Sequence, residues 1–143
     1  MRGFNPANLT HARHTAGLSR KDLARLAQTG RATIDNWEAG RVTPQIDVLV
    51  RVARVLNVTI DQLVDIPTHQ RYPGDWRILN GLTQPQLAAQ TGLSTATVGA
   101  IERGEIALSP SHAETLAAAL NLAADDYRSA YERSRLRPPG TPA

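Results

Sequence analysis

Cysteine is absent from the 143 residues, so no disulfide framework and no thiolate metal site is available. Aromatic residues make up only 4% of the chain against 41% hydrophobic residues overall, and Ala and Leu dominate the latter. That balance suits small, closely packed helices better than a β-sandwich, and an all-α fold is expected. No stretch of 18 consecutive apolar residues occurs, and the start, MRGFNPANL, lacks an apolar run of signal-peptide length. A cytoplasmic chain with no membrane contact is the resulting expectation. There is no Gly-rich phosphate loop, nucleophile elbow or zinc motif. His11 and His14 stand three apart with no nearby carboxylate to complete a site, and His69 and His112 are isolated. A ligand set needs three or four convergent groups, so no metal, no cofactor and no enzymatic activity are expected.

What the chain does contain is a repeat. Leu18 to Gly40, LSRKDLARLAQTGRATIDNWEAG, returns at Leu82 to Gly104 as LTQPQLAAQTGLSTATVGAIERG, offset by 64. Each copy has a Leu-Ala pair (Leu23-Ala24, Leu87-Ala88) and a closing apolar block (Ile34 and Trp37, Val98 and Ile101). The spacing predicts two short helices, about Arg20 to Ala27 and Arg31 to Ala39, joined by a three- or four-residue turn: a helix-turn-helix. The turns differ, because Gln28-Thr29-Gly30 stands where the second copy has Gly92-Leu93-Ser94, a left-handed glycine, an apolar plug and a hydroxyl cap.

Around this pair the first copy predicts Asn5 as cap and Pro6 as first residue of an opening helix with Leu9, Ala12, Arg13 and Ala16 on one face. Ser19 and Asp22 approximate a capping box, and Leu23, Ala24, Leu26 and Ala27 form a buried stripe. Thr43-Pro44 opens a helix buried through Ile46, Leu49, Val50, Ala53 and Leu56, and Thr59 to Leu63 makes a fifth, short turn. Asp65 to Gly74 is rich in Pro and Gly without apolar periodicity and marks a boundary. Asp75 is the expected cap of a shorter first helix in the second copy, Thr83 and Gln86 form a capping box, and Ser109-Pro110 starts a helix buried through Ala113, Leu116, Ala117 and Leu120. Tyr127, Ala130, Tyr131 and Ser134 prolong the last helical stripe, either as core of their own domain or as a contact with another. The expected organisation is a first domain 1–66, a linker 67–74, a second domain 75–136 and a disordered basic tail 137–143.

Charge separates the copies. Residues 1–66 hold nine Arg or Lys against six acids, and residues 72–130 three Arg against six acids. A basic domain is drawn to phosphate backbones, and an acidic one is repelled by them. The second helix of the first pair carries Arg31, Ala32, Thr33, Asp35 and Asn36 outward. Arg can grip guanine O6 and N7, and Asn adenine N6 and N7, as major-groove reading requires. The matching helix of the second copy exposes Thr95, Ala96, Thr97, Gly99 and Ala100, small groups suited at most to thymine methyls.

Both copies resemble the Xre/Cro/C1 family, the five-helix fold of phage lambda repressor and its Cro-like relatives. The runs LTHARHTAGLSRKDLA, WEAGRVTP and IERGEI, and the ends ARVLNVTIDQL and AAALNLAADDY, carry the likeness over residues 5–66 and 72–128. It implies two tandem lambda repressor-like domains in a prokaryotic or phage protein that binds double-stranded DNA. Carried over by position, Arg31, Ala32, Thr33, Asp35 and Asn36 become base-facing, and Arg20, Lys21 and Arg41 backbone-facing. Arg13 with Glu38, and Arg77 with Glu102, take the places of a structural ion pair tying the first helix to the recognition helix. Gln84 takes that of a glutamine early in helix two, where the first copy has Arg20. The implied function is a transcriptional regulator, a repressor, whose second domain with Gln84, Thr95, Ala96, Thr97 and Gly99 is a weaker DNA reader or a dimerisation and partner domain. The chain then acts as a homodimer or a single-chain pseudo-dimer, with no effector indicated. The competing reading is an interaction module of the same fold, an antitoxin or adaptor. The peptidase domain with which some phage repressors cleave themselves has no counterpart.

Overall fold

A computed structural model describes all residues, 1–143, and is entirely helical apart from one isolated bridge. The chain forms two compact units, Met1–Asp65 and Ile66–Ala143.

In the first unit α1 (Pro6–Thr15), α2 (Arg20–Leu26), α3 (Arg31–Glu38) and α4 (Ile46–Leu56) are followed by a 3-10 turn, Ile60–Gln62. Asn5 Oδ1 accepts from the amides of Ala7 and Asn8, and Ser19 Oγ from that of Asp22, so both early helices start where a side chain satisfies otherwise orphaned N–H groups. The core gathers Leu9, Leu23, Ile34, Trp37, Leu49, Val52 and Leu63, each 3% exposed or less. Three expectations are corrected here. Leu26 is 46% exposed, because helical steps of about 100° set Ala27 between Leu23 and Ala24 and leave Leu26 outside that face. Val52, not Val50, is fully buried on α4, three residues from Leu49 and four from Leu56. This helix also begins at Ile46 rather than beside Pro44. The N-terminus closes the unit: Phe4 bridges Val64 and sets its ring edge-on to Trp37, centroids 6.2 Å apart.

The turn between α2 and α3 resolves the question raised by its odd sequence. Gln28 adopts φ +56°, the left-handed conformation that Gly92 adopts at +72° in the other unit. The turns therefore share a shape, and the first carries a side chain where L-residues are strained. The Arg51 guanidinium, reaching from α4, donates to the carbonyls of Ala27 (3.0 Å) and Gln28 (3.4 Å) and holds the turn in place.

In the second unit a 3-10 turn (Thr68–Gln70) precedes α5 (Pro73–Leu79), α6 (Gln84–Thr91), α7 (Thr95–Glu102), α8 (Pro110–Ala119) and α9 (Ala124–Arg135). The helix α5 thus starts earlier than expected. Asp75 is not its cap but lies buried inside the first turn, its Oδ2 accepting from the Tyr72 amide at 2.8 Å. Thr83 and Gln86 form a reciprocal capping box on α6. Tyr127 and Tyr131 lie in their own unit's core with Leu87, Val98, Ile101, Leu116 and Leu120, which decides between the two readings of that stripe. The prolonged α9 folds against the end of α7: Ser134 Oγ donates to Glu102 O, Tyr131 Oη to Ile106 O at 2.7 Å, and Arg137 Nη1 to Arg103 O at 2.6 Å.

Candidate nucleic-acid interface

The recognition helix of the first unit is braced from behind by one carboxylate. Arg13 on α1 places Nε 2.7 Å from Glu38 Oε1 and Nη1 2.9 Å from Leu18 O, so one guanidinium joins α1, the loop before α2 and the end of α3. Arg20, the first residue of α2, reaches the other oxygen of Glu38 at 2.6 Å. Burial pushes the Glu38 carboxyl up, but hydrogen bonds from Arg13, Thr10 and Arg20 and the charge of Arg13 outweigh that push and hold it below the usual carboxylate range. The second unit repeats the bracket. Arg77 contacts Glu102 at 2.6 and 3.1 Å and Leu82 O at 2.9 Å, and Gln84 Nε2 supplies the second donor to Glu102 at 3.0 Å. Position 20 in one unit and 84 in the other thus do the same bracing, with a full charge in the first.

Forward of this bracket, Arg31 and Ala32 are exposed, while Thr33, Asp35 and Asn36 are half-buried. Arg20, placed by resemblance at the DNA backbone, is half committed within the protein: besides Glu38 it lies 3.8 Å from Asp35 Oδ1. Asp35 also faces Arg31 at 3.6 Å, and Arg41 donates to Asn36 Oδ1 at 3.3 Å. These exposed contacts are individually weak, about 0.2–1 kcal/mol, and orient the cations without consuming them. Ser19, Arg20, Lys21 and Arg31 line a shallow hollow of about 420 Å³ whose floor includes the buried Arg13, already committed to Glu38 and Leu18 O, so three exposed cations and a hydroxyl surround one concavity. Such a donor set complements phosphate oxygens.

Among the second-unit candidates, Thr95 and Ala96 are exposed, and Thr97 is engaged in the cap of its own helix, accepting from Ser94 Oγ at 2.8 Å. Gly99 is buried, contrary to expectation, beneath Arg103 and Gln84: a Cβ there would stand 2.9 Å from Arg103 Nη1. Sequence reasoning missed Arg51 and Arg103. The signal for the latter was available, since Arg103 and Gly99 are four apart on one helical turn and small residues admit long neighbours. It also underestimated charge. With Arg133, Arg135 and Arg137 folded in, residues 66–143 hold seven Arg and seven acids. No group of three or more His, Asp or Glu is placed to hold a metal ion, and no helix is long and apolar enough to cross a membrane.

Two helix-turn-helix units, one with a cationic hollow beside its outward helix, define a DNA-binding regulator. A helix-turn-helix family model matches the chain at residues 12–63 and again at 75–127, and the chain belongs to that family, in two tandem copies of the Xre/Cro/C1 kind. No curated protein and no solved structure matches it.

Proposed function

We propose that this chain is a repressor that reads duplex DNA with α3 of its first unit. Arg31, Ala32, Thr33, Asp35 and Asn36 face base edges in the major groove, and Arg20, Lys21 and Arg41 take flanking phosphates. The observation that carries this reading is the group of exposed cations Arg20, Lys21 and Arg31 around one hollow beside Ser19, which concentrates positive charge at the start of α2 and α3. The common bracket of Glu38 and Glu102 supports the same posture for both recognition helices, and a single chain then works as a pseudo-dimer on an asymmetric cytoplasmic target, the second unit reading weakly through Thr95 and Ala96.

Fluorescence anisotropy of the full chain on labelled duplex, titrated with salt, tests it. Each phosphate contact contributes about 0.9 to the slope of log affinity against log salt. Replacing both Lys21 and Arg41 by Ala should lower the slope by about 1.8. Duplex binding that is absent, or insensitive to salt in the unsubstituted chain, refutes the proposal.

A further inference from the structure

We propose that the second unit grips duplex DNA through Arg103 and Arg135, two cations that do not correspond to the phosphate-facing positions of the first unit. The inference rests on the DNA-binding reading above and concerns how the second unit takes part in it.

Position by position the second unit looks unsuited to phosphate. Gln84 and Pro85 replace Arg20 and Lys21, and Glu105 replaces Arg41. Its fold supplies the charge from elsewhere. Gly99 stands where the first unit has Asp35, and a Cβ at this position would lie 2.9 Å from Arg103 Nη1 and 3.4 Å from Gln84 Oε1. Lacking that side chain, α7 lets the Arg103 guanidinium lie back across the helix beside Gln84, the region that Arg20 occupies beside Asp35 and Glu38 in the first unit. Nε and Nη2 of Arg103 are taken by Glu105 at 2.8 and 3.0 Å, which fixes the plane of the group and leaves Nη1 as the corner directed over α7.

The second cation arrives from the C-terminal extension of α9. A Cβ on Gly104, which has φ +70°, would lie 2.7 Å from Arg135 Cα, so the backbone of Arg135 rests directly on the turn that ends α7. Its side chain is exposed, with one contact of 3.4 Å to Tyr131 Oη. Arg137 is the tether rather than a third contact, because it donates to the carbonyls of Arg103, Ser134 and Thr141. Arg103 and Arg137 share the single carboxylate of Glu105, Glu102 being already matched by Arg77, and Arg135 adds an exposed cation on the turn that ends α7. The result is a positive rim at the exit of the second recognition helix. Guanidinium groups with free N–H corners are the donors that phosphodiester oxygens accept best.

The test uses the full chain and a mixed-sequence duplex of about four helical turns, titrated between about 50 and 200 mM salt. Arg103→Gln with Arg135→Gln should lower the salt slope by about 1.8, additively with the loss from Lys21→Ala in the first unit. Gly99→Ala should by itself lower the slope by up to about 0.9, by pushing Arg103 off the helix, while alanine's better helix propensity keeps the second unit's melting temperature from falling. An unchanged slope in the double variant, with Lys21→Ala still lowering it, overturns the second-unit grip and leaves the DNA-binding reading standing. Equal slopes accompanied by lost retention on polyglutamate would overturn it in favour of an acidic protein partner. Failure of the unsubstituted chain to bind duplex overturns both.

Discussion

Replacing Gln28 by Gly should stabilise the first unit without touching its proposed DNA surface. The residue holds φ +56°, and an L side chain in that region costs about 1–2 kcal/mol. Glycine removes this strain but adds about 0.5–1 kcal/mol of unfolded-state entropy, so the net gain should be about 0.5–1 kcal/mol. For a unit of this size that corresponds to about 3–6 °C in Tm. The neighbouring geometry offers nothing to oppose the change, since the Arg51 bonds go to the carbonyls of Ala27 and Gln28 and survive it. Trp37 and Trp76 are the only tryptophans, one per unit, so urea unfolding followed by fluorescence in a Trp76→Phe background reports the first unit alone. Asn57 provides the control: it too is left-handed, at φ +54°, but Asn tolerates this region, and Asn57→Gly should gain less. A midpoint that stays level or falls in Gln28→Gly, or rises equally in both variants, would refute the strain argument.

Other consequences are measurable in the same way. Arg13→Ala leaves the nearly buried Glu38 with only Arg20 and the Thr10 hydroxyl and should destabilise the first unit by about 3 kcal/mol. Because the folded carboxyl of Glu38 is held below its ordinary value, its stabilisation is complete above about pH 5 and is lost as pH falls through the folded pKa; Glu38→Gln should flatten that part of the stability profile. Gly40 and Gly104 share φ +70°, yet a Cβ at 40 meets only Pro6 Cγ at 3.7 Å while one at 104 meets the Arg135 backbone at 2.7 Å. Both alanine variants should therefore lose about 1–2 kcal/mol from backbone strain, and Gly104→Ala should lose more, with α9 displaced in hydrogen exchange.

Repetition made the fold legible. Two copies of the same apolar spacing, with Ser19, Thr83, Ser94 and Ser109 at helix starts, place the helices from local rules alone. Where single faces had to be chosen the pattern was weaker: the seven-residue α2 gives too few turns to fix the centre of its stripe at Leu26, and the eleven-residue α4 offers both Val50 and Val52 as apolar candidates for one buried face. The buried arginine–glutamate brackets came from resemblance, not spacing, since 25 residues separate Arg13 from Glu38 and only packing brings them to 2.7 Å. The same limit hid Arg51 and the return of α9 onto Gly104. A guanidinium's destination 24 residues away, or the backbone that presses on a glycine, is a tertiary fact with no periodic signature.

A binding selection on random duplex DNA, run with the full chain and with Arg31→Ala, addresses the central claim that α3 of the first unit reads bases. A bidentate arginine–guanine contact is worth about 1–3 kcal/mol of discrimination, so the variant should recover a site that has lost specificity over one segment while the remainder persists. Recovery of the same site at undiminished information by both proteins would contradict the account.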